Sequence, residues 1–296
     1  MRVALVHDWL VAHRGGEAVL LELAKMFPSA PIYTLVLDRE KIHPVLAERE
    51  IVTSFIQHLP GSPSDFRRYL PLFPAAIERF DFSGYDLVVS TSHCVAKGVV
   101  TGDVHHVSYV HTPMRYAWEH RSQYAPKGKA AVFGRPVFEL GAAVLRRWDH
   151  KSTQRPSELV ANSGYVAQRI ASCWDRAATV VYPPVDTEFY CPDQTPRKGY
   201  FAVVGAQVGY KNNALAVEFG TATGTEVRVV GRGPDIEHVR SLAGPSVVFE
   251  GHVSRERLRE IYREAKALLF CGVEDFGIVP VEAISCGCPV LSLIHI

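Results

Sequence analysis

Short apolar runs recur along the chain, each followed by a polar or glycine-bearing loop and then by a stretch whose apolar residues are spaced three and four apart. The first run, Arg2 to His7 with Val3, Ala4, Leu5 and Val6 at its centre, predicts a buried parallel strand. The stretch after it places Val19, Leu20, Leu23, Ala24 and Phe27 on one stripe, which predicts a helix starting near Gly16 or Glu17. Further strands are expected at Ile32 to Val36, Ile51 to Phe55, Tyr85 to Ser90, His106 to Val110 and Glu158 to Asn162. A helical stretch from Asp65 to Phe80 is interrupted by Pro71 and Pro74, and Ser163 is placed to cap a helix running to Cys173. Strand, loop and helix alternate, the pattern of a doubly wound α/β sheet.

Tyr182-Pro-Pro-Val-Asp186 breaks that rhythm, since two adjacent prolines cannot continue a strand or a helix. The boundary falls between Val185 and Pro196, giving a first domain over 1–188 and a second over 189–296. The second repeats the pattern with strands at Tyr200 to Val204, Val227 to Val230, Ala267 to Cys271 and Val290 to Leu293. Ser254 caps a helix with Leu258, Ile261, Tyr262 and Ala265 on its apolar stripe. Gly231-Arg-Gly-Pro followed by Glu250 imitates a dinucleotide fingerprint, but Ile236 occupies the place of the third glycine, so a strand-to-helix turn is the better reading.

Composition adds exclusions. With 296 residues, 47% of them apolar, and a formal charge of +1, the chain can build two cored domains and shows no general nucleic-acid footprint. No apolar run reaches the roughly 18 residues of a membrane span, and the first strand breaks too early for a signal peptide. A cytoplasmic protein, or one at the inner face of the cytoplasmic membrane, is expected. Cys94, Cys173, Cys191, Cys271, Cys286 and Cys288 show no metal or disulfide spacing, and reduced thiols follow. Neither a cofactor nor a metal is expected, since no Asp-x-Asp pair offers ligands for a metal-bridged diphosphate.

Candidate chemistry concentrates where the strand from Ala267 gives way to a loop and a helix, in Gly272-Val-Glu274-Asp-Phe-Gly277-Ile-Val-Pro280-Val-Glu282. Pro280 suits a first helical turn, so the N–H groups of Gly277, Ile278 and Val279 sit at a helix start, where backbone donors and the helix dipole favour an anion such as a diphosphate. Glu274 on the strand side and Glu282, read here in the first turn, can each accept paired hydrogen bonds from a vicinal diol. A capping-box role for Glu282 is disfavoured because Val279 stands at the cap position. Lys211, after the glycine loop opening at Gly205, can neutralise a departing diphosphate. In the first domain, Gly15-Gly16-Glu17 is a turn that lets backbone approach a ligand, and His111 lies at the carboxyl edge of its strand, where open parallel sheets bind ligands. From 115 to 155 basic residues outnumber acidic ones and alternate with aromatics; a solvated helix face and a contact with anionic headgroups explain this equally well.

Glu274, Phe276, Gly277, Pro280 and Glu282, two glutamates eight positions apart enclosing Phe-Gly and a proline, resemble the signature of the retaining GT-B glycosyltransferases of family four. The resemblance covers nearly the whole chain and implies two Rossmann-like domains facing across a cleft. It also implies an acceptor-binding first domain and a donor-binding second one. It implies that Glu274 contacts the donor sugar, Glu282 the nucleotide ribose and Gly277 to Val279 the donor through their amides, while His111 faces the transferred sugar and Gly15 and Gly16 line the cleft. His111-Thr-Pro-Met-Arg-Tyr-Ala-Trp118 looks most like the bacterial mannosyltransferase branch that builds surface polysaccharides. The implied activity is transfer of a hexose, mannose from GDP-mannose, to a lipid-linked or growing saccharide, with retention. The family's arginine five residues before the lysine is here Ala206, which keeps open a non-catalytic nucleotide-sugar-binding partner or an inactive fragment; a nicotinamide oxidoreductase is a distant third. The family continues beyond the strand that ends this chain, so the second domain is expected to be incomplete.

Overall fold

A computed structural model describes residues 1–12, 15–118 and 131–293. The chain divides into two compact units, Met1–Pro184 and Val185–Ile296. The first is built on a seven-stranded sheet with the order β3-β2-β1-β4-β5-β6-β7. Its strands are β1 (Val3–His7), β2 (Ile32–Thr34), β3 (Ile51–Thr53), β4 (Leu87–Ser92), β5 (His105–Val110), β6 (Glu158–Ala161) and β7 (Thr179–Val180), and every pairing is parallel. The main helices are α1 (Gly15–Met26), α2 (Ala131–Ser152) and α3 (Gly164–Trp174). Successive residues of β1 serve opposite faces: Ala4 and Val6 pack with Phe66, Phe73 and Val88, whereas Val3 and Leu5 pack with Leu20, Ile32 and Val89. A strand covered on both sides must be apolar throughout, which is why Val3 to Val6 carries no polar residue.

Two expectations change. The stretch from Asp65 to Phe80 is not one helix but a tight turn of 3₁₀ helix at Phe66–Leu72 leading into a short α-helix at Phe73–Ile77. Pro71 removes a donor from the first, and Pro74 takes an early position in the second, where its missing N–H costs nothing. The strand expected to end at Ser90 runs on through Thr91 to Ser92, and Ser90 bonds His106 Nε2 at 2.8 Å and Ser108 Oγ at 2.9 Å across the sheet.

The second unit holds β8 (Phe201–Val204), β9 (Val227–Val230), β10 (Val247–Gly251), β11 (Ala267–Phe270) and β12 (Val290–Ser292) in the parallel order β10-β9-β8-β11-β12. Its helices are α4 (Asn213–Thr223), α5 (Ile236–Ser241), α6 (Arg255–Glu264) and α7 (Ile278–Ser285). Ala202 and Leu268 face α6 and α7, while Val203, Val227 and Val229 face α4 and α5. Both sheets reverse direction of growth once, at β1/β4 and at β8/β11, and the carboxyl ends of those strand pairs are the places where open α/β sheets leave room for ligands.

Part of the basic segment, 119–130 with Arg121, Lys127 and Lys129, lies outside the described residues. The rest includes α2, whose Asp149 is buried and central to a packed cluster. It pairs with buried Lys97 and accepts hydrogen bonds from Trp118 Nε1 and Trp174 Nε1, each at 2.7 Å. That pair is satisfied on every side and reads as structural. No described helix is long and apolar enough to cross a membrane. No disulfide joins any of the six cysteines, all of which lie among the described residues.

Candidate active site

At the carboxyl end of β8 the chain passes through Gly205, makes a turn of 3₁₀ helix at Gly209–Lys211 and enters α4 at Asn213. The loop is zipped to the one following β9: Gly205 N–H donates to Val230 O at 3.0 Å, Gln207 N–H to Arg232 O at 3.1 Å, and Asp235 N–H to Gln207 O at 3.1 Å. Such closeness requires glycine, because a Cβ at Gly231 would fall 2.1 Å from Gly205 O and one at Gly233 would fall 2.2 Å from Gln207 O. Gly231 to Gly233 is thus the turn that floors this loop, as the failed fingerprint implied.

The loop after β11 meets the same place. Gly272 packs on the Lys211 backbone, where a Cβ would lie 2.6 Å from Lys211 Cα, and Lys211 Nζ stands 2.8 Å from Glu274 Oε1. Lysine and carboxylate are each about one-fifth exposed, enough to be reached by a ligand. Two residues named from sequence for the diphosphate and for the sugar of a donor therefore touch, with opposite charges paired.

Three residues on, Gly277 adopts φ 86°, a left-handed conformation that starts α7 at Ile278 and supplies no side-chain cap. The first-turn N–H groups of Ile278 and Val279 have no partner within the helix, and the dipole adds partial positive charge there. Because the helix starts at Ile278, Glu282 is its fifth residue and belongs to the second turn, not the first. Its carboxylate turns toward α6, where the buried Tyr262 hydroxyl donates to Oε2 at 3.0 Å. Burial raises its pKa to about 7, against the opposing hydrogen bond from Tyr262 and the charge of Arg255. No hydrogen bond or ion pair joins Glu282 to Lys211 or Glu274.

In the first unit, the ends of β1, β4 and β5 bring together His7, Asp8, Thr91, His93 and His111, with Gly16 of α1 against them. A Cβ at Gly16 would lie 3.5 Å from His111 Nε2 and 3.7 Å from His7 Cε1, in ordinary contact, so the helix starts directly over both rings. His111 Nε2 is buried without a hydrogen-bond partner. Its pKa falls to about 3, mainly from burial and then from His93 and His7, so the ring is neutral near pH 7 and can exchange one hydrogen bond with a hydroxyl. Gly15 is the first residue of α1.

Asp8 escaped the reading of the sequence. Fully buried, it accepts hydrogen bonds from four successive main-chain N–H groups, His93 at 2.6 Å, Cys94 at 2.9 Å, Val95 at 2.6 Å and Ala96 at 2.7 Å, while His93 Nδ1 stands 3.1 Å away. Burial alone would raise its pKa; the imidazoles of His93 and His7 and the backbone donors outweigh that and hold it below the usual range. An aspartate directly after a buried strand, at the sheet's carboxyl edge, was the available signal. Tyr262 was read from its spacing as a core residue only, and nothing in that spacing shows its hydroxyl.

Residues 13–189, more than half of the chain, match the model of Glycosyltransferase Family 4, and residues 213–294 match that of Glycosyl transferases group 1. The chain belongs to Glycosyltransferase Family 4. Among solved structures, this family-four chain is similar to Anabaena HepE, crystallised with UDP and glucose, with a TM-score of 0.67 at 16% identity over 99% of this chain and 80% of the other. It is also similar to sucrose-phosphate synthase of Thermosynechococcus elongatus, with a TM-score of 0.65 at 15% identity over 99% and 81%. AviGT4, a glycosyltransferase of avilamycin A biosynthesis, gives a TM-score of 0.54 at 17% identity over 99% and 78%. These likenesses give the fold, GT-B, two Rossmann-like parallel α/β units. A comparison with curated proteins finds no match. As a family-four protein, the chain is a glycosyltransferase.

Proposed function

We propose that the chain transfers a hexose from a nucleotide diphosphate sugar to a saccharide acceptor, with retention at the anomeric carbon. The observation that carries this is the Lys211–Glu274 pair, 2.8 Å apart at the β8/β11 ends beside the uncapped start of α7. A diphosphate fits the Ile278 and Val279 amides and the Lys211 ammonium. Glu274 then accepts from the sugar hydroxyls, and Glu282 from the ribose diol. UDP and glucose in the Anabaena structure support a nucleotide-sugar donor. Mannose and a guanine base rest on the His111 to Trp118 run.

In the transfer, the bond from the anomeric carbon to the phosphate oxygen breaks with its electron pair going to the diphosphate. The acceptor oxygen bonds the same carbon from the same face, and its proton passes to the departing phosphate oxygen. Negative charge grows on the diphosphate as the sugar becomes oxocarbenium-like, so Lys211 and the helix amides bind the transition state more strongly than the ground state. His111, neutral, would hold a hydroxyl of the transferred sugar, with Gly15 and Gly16 leaving space beside it. The charge stabilisation assigned to Lys211 needs no metal.

The acceptor is assigned to the first unit. There a cavity of about 190 Å³ at the β1 end is lined by Trp9, Glu17, Asp38, Lys41, Phe66 and Arg67, a mixture of aromatic, acidic and basic groups suited to a saccharide. Membrane contact draws support from α2, where exposed Leu140 and Val144 continue along one helical stripe into Arg147 and Lys151.

Binding of a panel of GDP- and UDP-sugars, followed by turnover, tests the reading. Glu282→Gln is expected to weaken donor binding sharply, and unchanged affinity by calorimetry removes the assignment. Ala206 favours one alternative, a nucleotide-sugar-binding partner without turnover. If Ala206→Arg binds donor yet never turns over with any acceptor tried, that alternative stands.

A further inference from the structure

Tyr262 belongs to the apolar stripe of α6 and is completely buried, yet its hydroxyl leaves the core and reaches Glu282 Oε2 on α7 at 3.0 Å. Its ring is locked from behind by Tyr190, edge-on with centroids 6.0 Å apart. Tyr190 is held in turn by Arg255, which pairs with Asp186 at 2.7 Å and lies over Phe189. Tyr262 gives the only hydrogen bond found to the Glu282 carboxylate among the described residues, and no lysine or arginine pairs with it. A vicinal diol needs two acceptor positions in a fixed plane. One phenol bond at Oε2 sets that plane and leaves Oε1 and the second lone pair of Oε2 open.

We propose that Tyr262 is a positioning residue for donor binding, whose phenol aims the Glu282 carboxylate at the ribose diol. This rests on the reading of Glu282 as the ribose contact. Burial, then Tyr262 and Arg255 of α6, set the ionisation of Glu282; Tyr190 from the segment before β8 and Cys286 at the end of α7 also face its carboxylate, whose charge raises their own pKa values. Arg255 and the Tyr262 bond favour the carboxylate and burial opposes it, so removing the phenol pushes Glu282 toward its protonated form. A tyrosine that was merely satisfied core would change stability when altered. It would not change how donor binding depends on pH or on the ribose hydroxyls.

The test uses the full chain and whichever of UDP-glucose and GDP-mannose the wild type binds, together with the 2′,3′-dideoxyribose form of that compound, titrated by calorimetry from pH 5.5 to 9. Tyr262→Phe is expected to weaken binding about tenfold at pH 7 and to move the binding midpoint upward by about one pH unit, with the dideoxy compound indifferent to the change. Should the phenylalanine variant not fold, 3-fluorotyrosine at the same position, equal in shape but a stronger donor, is expected to move the midpoint downward. A folded variant with an unmoved midpoint and unmoved affinity, in a protein whose Glu282→Gln form has lost affinity, overturns the positioning role and leaves the ribose reading intact. If Glu282→Gln binds as the wild type does, or neither nucleotide sugar binds at all, the ribose reading falls and the proposal falls with it.

Discussion

Replacing Asp8 by asparagine should cost the first unit a large part of its stability, although the two side chains are nearly the same size. Oδ1 of Asp8 accepts from Val95 and Ala96, and Oδ2 from His93 and Cys94. Asparagine keeps one oxygen and so two of these bonds, while its NH₂ group confronts the other two donors in a site closed to water. Two buried N–H groups then lack an acceptor, at about 1–3 kcal/mol each, so the loss should be about 4 kcal/mol. Set against the roughly 5–15 kcal/mol that a domain has in total, this is a substantial fraction. Urea denaturation followed by tryptophan fluorescence isolates the effect, because Trp9, Trp118, Trp148 and Trp174 all lie in Met1–Pro184. With a slope of about 2 kcal/mol per molar urea, the midpoint should fall by about 2 M. The sign with pH is a second signature. Since the folded pKa is depressed, the contribution is present above the ordinary carboxylate value and lost as pH falls through the lower folded one. The gap between wild type and variant should therefore close in acid. A loss below about 1 kcal/mol at neutral pH would refute the reasoning.

Two other outcomes follow from the second unit. Glu282, with its pKa at about 7, binds a diol best as the carboxylate, so the affinity for a nucleotide sugar should fall about tenfold from pH 8 to pH 6, and Glu282→Gln should flatten that profile; a wild-type profile already flat would count against it. A sugar-capped diphosphate has no ionisation of its own in this range, which is why it and not free nucleotide is the proper ligand. Gly233→Ala places a methyl 2.2 Å from the Gln207 carbonyl, and parting the two loops should cost about 3 kcal/mol and speed amide exchange in 205–235, whereas native-like exchange would show that the loops yield freely.

Most strands were legible because burial on both faces leaves an unmistakable apolar run: Val227–Val230 appears where it was expected, and the strands at Val3 and Ala267 differ only at their ends, whereas β7 and β10, which are not buried, went unread. Caps were equally plain, since Ser163 and Ser254 accept from the N–H groups of Val166 and Arg257, as a short hydroxyl before an apolar stripe should. What stayed hidden depends on partners remote in sequence. Asp8 is bonded to residues 85 to 88 positions away, and no local pattern at Asp8 announces them. Tyr262 is a core residue by spacing and a polar one by its tip, and only the packing of α6 on α7 shows the second character. The start of α7 was legible from Gly277 and Pro280, but its register was not: the left-handed glycine sets the first helical residue, and Glu282 moves into the second turn. For Lys211 and Glu274, the sequence indicated each residue but not their contact, because that contact is made by the sheet pairing β8 beside β11.

That contact implies an exchange when donor binds. Lys211 and Glu274 neutralise one another at 2.8 Å. A diphosphate that draws the ammonium away leaves the carboxylate needing other donors, and sugar hydroxyls supply them only if the sugar is present. Free nucleoside diphosphate must break the pair without compensating Glu274, whereas the nucleotide sugar replaces what it removes. Glu274→Gln should therefore have opposite effects on the two ligands. It frees Lys211, so free diphosphate should bind more tightly, by about fivefold if this partly exposed pair contributes about 1 kcal/mol. The same change weakens the acceptor offered to the sugar, so nucleotide sugar should bind more weakly. Calorimetry with UDP beside UDP-glucose, and GDP beside GDP-mannose, measures both arms. Parallel losses for the two ligands would mean that Glu274 is needed to hold Lys211 in place rather than to trade it, and the exchange would have to be abandoned.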